Sequence, residues 1–150
     1  VWFAYSLLFD AALNIFYAVM AIWGAWRWLT HAGGHIDDSI TTISTKQHLL
    51  TIGFGVSASI LLGYFASVTT IAALSYLDAL TTVFSIMATL MLIERKLENW
   101  IYFLVMDIIY VYLYLDRGSV IFAGLFVVYC IMAVIGYLNW KKIRANQVIA

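Results

Sequence analysis

The chain has 150 residues, 65% hydrophobic and 17% aromatic, and its eight basic residues are balanced by eight acidic ones. Charged residues make up 11%, against about 25% in a soluble domain, and mean hydropathy is +0.95. These values indicate an integral membrane protein, all-α by the helical spans below, and the loop cations read as topology markers rather than a nucleic-acid patch.

Cys130 is the one cysteine and lies in an apolar run, so no disulfide framework exists. There is no proline, so no helix carries the usual kink device. The first residues lack a basic region, and no cleavable signal peptide is expected.

Five spans are predicted, each near the roughly 20 residues needed to cross a bilayer as a helix: residues 10–28, 49–68, 76–93, 100–114 and 120–140. Residues 1–9 read as the tail of an earlier helix followed by a turn. The first span places Asp10, Asn14, Tyr17, Ala21, Gly24 and Trp28 on one face. Asn14 is a neutral hydrogen-bonding group within the membrane, suited either to interhelical contact or to a solute hydroxyl or amide. Residues 30–46 form a loop rich in Gly, Thr and Ser, with His31, His35, Asp37 and Asp38. His31 and His35 are four apart, but Gly33 and Gly34 intervene and no third ligand is near. They read as solvated loop residues, and no metal or cofactor is expected. Span 49–68 has no charge and carries Gly55, Ser59 and Gly63 at intervals of four, a strip suited to close helix packing.

Span 76–93 carries Asp78, Thr81, Thr82, Ser85 and Thr89 along one face, which predicts a polar side turned toward a cavity. Span 100–114 holds a single carboxylate, Asp107, near its middle. A carboxylate at that depth costs about 2.5–3.5 kcal/mol, so it is expected to face protein or water. Trp100, Phe103, Asp107, Tyr110 and Tyr114 fall on one helical stripe, four rings around one anion. Such a stripe suits a cavity for a flat, cationic or hydrogen-bonding solute. Its alternative use is packing, with Asp107 satisfied by a neighbouring helix.

Alternating the spans puts the 30–46 loop, the turn at residues 94–98 and the C-terminus on one side. That side holds Arg27, Lys46, Arg95, Lys96, Lys141, Lys142 and Arg144; the other holds Arg117. The imbalance places the C-terminus in the cytoplasm.

Residues 17–28 align without gaps to residues 129–140, with Tyr17/Tyr129, Met20/Met132, Ala21/Ala133, Gly24/Gly136 and Trp28/Trp140 identical. Three spans separate the copies, so both run in the same direction, as in parallel-repeat transporters. The second copy is preceded by two helices and the first only by residues 1–9. Two N-terminal helices are therefore inferred to be missing. The five spans would be helices 3–7 of a three-plus-one-plus-three transporter. Residues 1–28 would hold the end of helix 2 and the third helix of the first repeat. Residues 29–69 would be the loop and linker helix, and residues 70–150 the second repeat with its cytoplasmic end.

The run from Leu77 and Asp78 to Glu98-Asn99-Trp100, the following Asp107, and Gly136-Tyr-Leu-Asn-Trp140 resemble the PnuC nicotinamide riboside transporter family. Trp23-Gly24-Ala25-Trp26-Arg27-Trp28 is similar to the family's Tyr-Gly-Trp-Tyr-x-Trp signature, with Trp23 and Ala25 departing from it. The resemblance implies a usually trimeric transporter, related to the SWEET proteins, in the bacterial inner membrane. Its substrate would be a cationic nucleoside equilibrating across the bilayer and trapped inside by phosphorylation. Carried over by motif, Asn14, Trp28, Asn99, Trp100 and Asp107 become substrate-path candidates, beside Asp78, Phe103 and Tyr110 from the stripes. Sister branches carry thiamine or riboflavin, and thiamine also presents a cationic ring. A membrane scaffold without a solute path is the reading from another class.

Overall fold

The computed structural model describes residues 2–31, 39–68 and 76–149, with side chains described for residues 15–30, 39–68 and 76–147. Five helices follow one another: α1 (Trp2–His31), α2 (Thr45–Val68), α3 (Tyr76–Ile93), α4 (Asn99–Asp116) and α5 (Val120–Ile149). α2 packs on α3, α3 on α4 and α4 most extensively on α5, while α1 leans against α3. Among the described residues, α2, α3 and the stretch Val120–Gln147 of α5 are by themselves long and apolar enough to cross a membrane. Large apolar side chains such as Phe54, Leu61, Ile121 and Ile131 stay exposed on the outer faces, as they would against acyl chains. The chain is a multi-pass membrane protein.

Residues 2–9 do not form the end of a separate helix: α1 is continuous over 30 residues. No glycine or proline occurs before Gly24, so the 3.6-residue period has no breaker to stop it. α5 likewise runs nine residues past the expected Trp140, to Ile149. Lys, Arg, Asn and Gln end its apolarity without ending its helicity.

The start of α2 lies four residues before the expected Leu49, for a local reason. The Gln47 N–H donates to Ser44 Oγ at 3.3 Å, and the Ser44 N–H donates to Gln47 Oε1 at 2.8 Å. This reciprocal pair is a capping box, set by side-chain chemistry rather than apolarity. The buried face of α2 is the small-residue strip Gly55, Ser59, Gly63 and Ala66. Phe84 of α3 lies with its ring over Gly55. Phe84 stacks on Tyr102 of α4 with centroids 6.2 Å apart, and both belong to the core with Ala88 and Met106. His48 of α2 stacks on the same Tyr102 and shares a 3.0 Å hydrogen bond with its hydroxyl.

The three segments grouped by charge meet physically. The Thr41 N–H donates to the Arg95 carbonyl at 3.1 Å and the Leu97 N–H to the Thr41 carbonyl at 2.9 Å. The Ile43 N–H donates to Glu98 Oε2 at 3.2 Å, and the Ile40 N–H to Gln147 Oε1 at 3.0 Å. The segment after α1, the α3–α4 turn and the end of α5 therefore form one end of the bundle. His35, Asp37 and Asp38, and the side chain of His31, lie outside the described residues.

α3 and α4 stop in the same way. Lys96 N–H to Met91 carbonyl (2.9 Å) and Arg95 N–H to Leu92 carbonyl (3.0 Å) close the first. Ser119 N–H to Tyr114 carbonyl (2.8 Å) and Gly118 N–H to Leu115 carbonyl (3.0 Å) close the second. Both are Schellman motifs, which need a left-handed residue after the helix. Gly118 supplies it at φ 71° and Arg95 at φ 55°.

Candidate functional site

A cavity of about 750 Å³ opens where α1 and α3 face α4 and α5. All five residues of the sequence-derived stripe line it: Trp100, Phe103, Asp107, Tyr110 and Tyr114. The helical period makes this possible, because offsets of 3, 4 and 7 return to one side of α4. Facing them across the cavity are Tyr17 of α1, Ser85 of α3, and Phe122, Leu125, Phe126, Tyr129, Met132 and Ala133 of α5.

Asp107 is 8% exposed. It is the one acid among the described lining residues, which include no lysine, arginine or histidine. The walls are built from paired rings: Tyr110 stacks on Phe126 at 4.6 Å, and Tyr114 on Phe122 at 5.3 Å and on Phe126 at 5.4 Å. Phe126 also meets Tyr129 edge to face at 5.5 Å. The arrangement offers negative ring faces and one carboxylate, which together favour a cation over an anion. Hydroxyls of Tyr17, Ser85, Tyr110, Tyr114 and Tyr129 stand among the lining residues as polar handles.

Three indoles meet toward the basic end, beginning with Trp100 of the cavity lining. Trp100 meets Trp140 edge to face at 5.4 Å, and Trp140 in turn meets Trp28 at 6.4 Å. Trp28 does not line the main cavity. It lines a second, apolar one of about 370 Å³ between α1 and α3, with Met20, Gly24 and Ile93. Tyr17 borders both cavities. The Trp28 Nε1–H donates to the Ile93 carbonyl at 3.2 Å, which fixes the indole against the end of α3.

Two further expected site residues stand elsewhere. Asp78 pairs with Arg117 at 2.5 Å, joining the start of α3 to the α4–α5 turn at the end opposite the basic one. The stripe put it in line with Ser85, but seven residues of helix separate the two by about 10 Å. Asn99 is fully buried in the α3–α4 turn, where its Nδ2 donates to the Lys96 carbonyl at 2.5 Å. It shapes the turn that delivers Trp100 and is not among the lining residues. The Asn14 side chain lies outside the described residues.

The α5 wall was not anticipated as part of the site, although a signal for it exists. Phe122, Phe126, Tyr129 and Ala133 are spaced 0, 4, 7 and 11, the same helical stripe that marks α4. Met20 and Ala21 line the smaller cavity, Met132 and Ala133 line the larger one, and Trp28 packs on Trp140.

A protein-family profile described as nicotinamide mononucleotide transporter matches residues 1–142. The fold is similar to a crystal structure described as the vitamin B3 transporter PnuC. The TM-score is 0.72 at 26% identity, covering 89% of this chain and 62% of that one. The chain thus spans less than two thirds of the solved protein's length. No match to a curated protein sequence reaches significance. A profile match over nearly the whole length, on an all-helical fold of this likeness, shows that the chain belongs to the nicotinamide mononucleotide transporter family.

Proposed function

We propose that the protein carries nicotinamide riboside, or a closely similar cationic vitamin, across a bacterial inner membrane by facilitated diffusion. The observation that carries this reading is Asp107, the one carboxylate among the described lining residues of a cavity walled by stacked rings. Nicotinamide riboside presents a pyridinium cation, a carboxamide and a ribose. Ring faces attract such a cation by about 2 kcal/mol or more once water is removed. The carboxylate adds charge complementarity, and the tyrosine and serine hydroxyls suit the amide and the sugar.

The same chemistry favours the riboside over its mononucleotide. A phosphate would enter a cavity whose described lining places the Asp107 carboxylate beside it and has no cation to receive it. Kinase phosphorylation inside the cell would then trap the riboside, because the product no longer suits the site.

In this reading α1 is the third helix of a first triplet, α2 the linker, and α3–α5 the second triplet of a three-plus-one-plus-three carrier. The basic end, including the C-terminus, faces the cytoplasm, and three copies assemble in the membrane. The test is uptake of labelled nicotinamide riboside into proteoliposomes, with thiamine and nicotinamide mononucleotide as competitors. Saturable riboside uptake that neither competitor reduces at equal concentration supports the reading. Competition by thiamine at similar concentration transfers the assignment to a thiamine carrier, and no solute flux at all favours a scaffold.

A further inference from the structure

We infer that Arg95 is a tethered cation that covers Trp28 and is displaced by a cationic solute leaving toward the basic end. That makes it a specificity-determining residue for the transport proposed above, on which the inference rests. The two Schellman turns supply the first observation. Each needs a left-handed residue, and glycine is the usual occupant because a Cβ is disfavoured there. The α4 turn uses Gly118 in this way. The α3 turn uses Arg95, which among the described residues is the one non-glycine with positive φ. A guanidinium stands where the backbone would be better served by glycine.

The second observation is where that guanidinium goes. Its Cζ lies 5.3 Å from the centroid of the Trp28 ring, within cation–π range. Trp28 is held by its Nε1–H on the Ile93 carbonyl, so the ring cannot turn away without breaking that bond. The backbone at residue 95 is held too, since its carbonyl accepts the Thr41 N–H. Uncovering the indole therefore falls to the arginine side chain.

The third observation is what the indole connects to. Trp28, Trp140 and Trp100 follow one another at 6.4 and 5.4 Å, and Trp100 lines the cavity that holds Asp107. A chain of touching indoles thus runs from the cavity of the acid to the basic end, with Arg95 at its outer limit. The Trp28 face that Arg95 covers accepts one cation at a time. The guanidinium therefore competes with a pyridinium there and not with a neutral ring of the same shape.

The test uses the protein in proteoliposomes with Arg95→Gln, which removes charge at similar length, and Arg95→Lys, which keeps it. Arg95→Gly, which also relaxes the backbone, serves should Arg95→Gln fold poorly. The first readout is quenching of Trp28 fluorescence by N-methylpyridinium, taken as the difference between each protein and its Trp28→Phe counterpart. Arg95→Gln or Arg95→Gly is expected to raise it about threefold and Arg95→Lys to leave it near wild type. The second compares nicotinamide riboside with its neutral reduced form. The half-saturating concentration of the cation at the basic end is expected to fall severalfold in Arg95→Gln, and that of the neutral form to stay unchanged. Unchanged quenching, or equal shifts for both ribosides, overturns the inference. Quenching that rises as expected in a protein carrying neither riboside overturns the transport reading and leaves the cation cover on Trp28 standing.

Discussion

The Trp100 indole lies on the backbone of Gly136, so close that a Cβ at residue 136 would sit 2.7 Å from three of its ring atoms. The contact joins the start of α4 to α5 and sets the angle at which Trp100 lines the cavity. Trp140, one turn further along α5, braces the indole from its edge.

Gly136→Ala is therefore expected to push Trp100 off its seat and reduce riboside uptake about tenfold, equivalent to about 1.4 kcal/mol. Gly124→Ala is the matched control on the same helix, since a Cβ added there would meet nothing within 4 Å. It should leave uptake unchanged. Equal loss in both variants, measured against protein amount in the membrane, would show that α5 tolerates no added methyl and that Trp100 is not special.

Asp107→Asn keeps the shape of the carboxyl and removes its charge. Affinity for the cationic riboside is expected to fall about tenfold or more, and discrimination against the mononucleotide to narrow, because the repelling charge is gone. Binding of both ligands by calorimetry checks this. A parallel loss for both would mark Asp107 as structural.

Asp78 belongs to an ion pair with Arg117, whose side chain is 45% exposed. Asp78→Asn is expected to leave riboside affinity within about twofold and to cost at most about 1 kcal/mol of stability, as for other partly exposed pairs. A large drop in affinity with unchanged thermal stability would return Asp78 to the substrate path.

Ser44→Ala removes one half of the α2 capping box and is expected to cost about 1 kcal/mol locally. Hydrogen exchange reads it directly: amides of Lys46, Gln47 and His48 should exchange about fivefold faster, while those near Gly55 and Ser59 stay protected. Uniform loss of protection along α2 would place the start of the helix under tertiary control instead.

Much of this fold was legible because hydropathy and helical period are local properties. The limits of α3 match the expected 76–93, since apolar side chains run its full length and a turn follows at once. The Asp107 stripe is legible for the same reason: residues at offsets of 3, 4 and 7 share a helix face whatever packs against it. The start of α2 and the far end of α5 were less so, because a capping box and a breaker-free polar tail act through hydrogen bonds rather than apolarity.

From sequence alone follow the membrane class, the one acid at mid-depth, the ring stripe around it and the grouping of basic segments at one end. The acid and its ring stripe are decided by residues close together on one helix, the class by composition, and the basic end by the alternation of spans across a bilayer. Only the tertiary structure decided what stands opposite the stripe, that Asp78 turns to Arg117, and that Asn99 is buried in the turn behind Trp100. Those outcomes depend on how α3 and α5 are docked on α4, and docking is set by contacts between residues far apart in the chain. Periodicity assigns a side chain to a face of its own helix; it carries no information about the neighbour that face will meet.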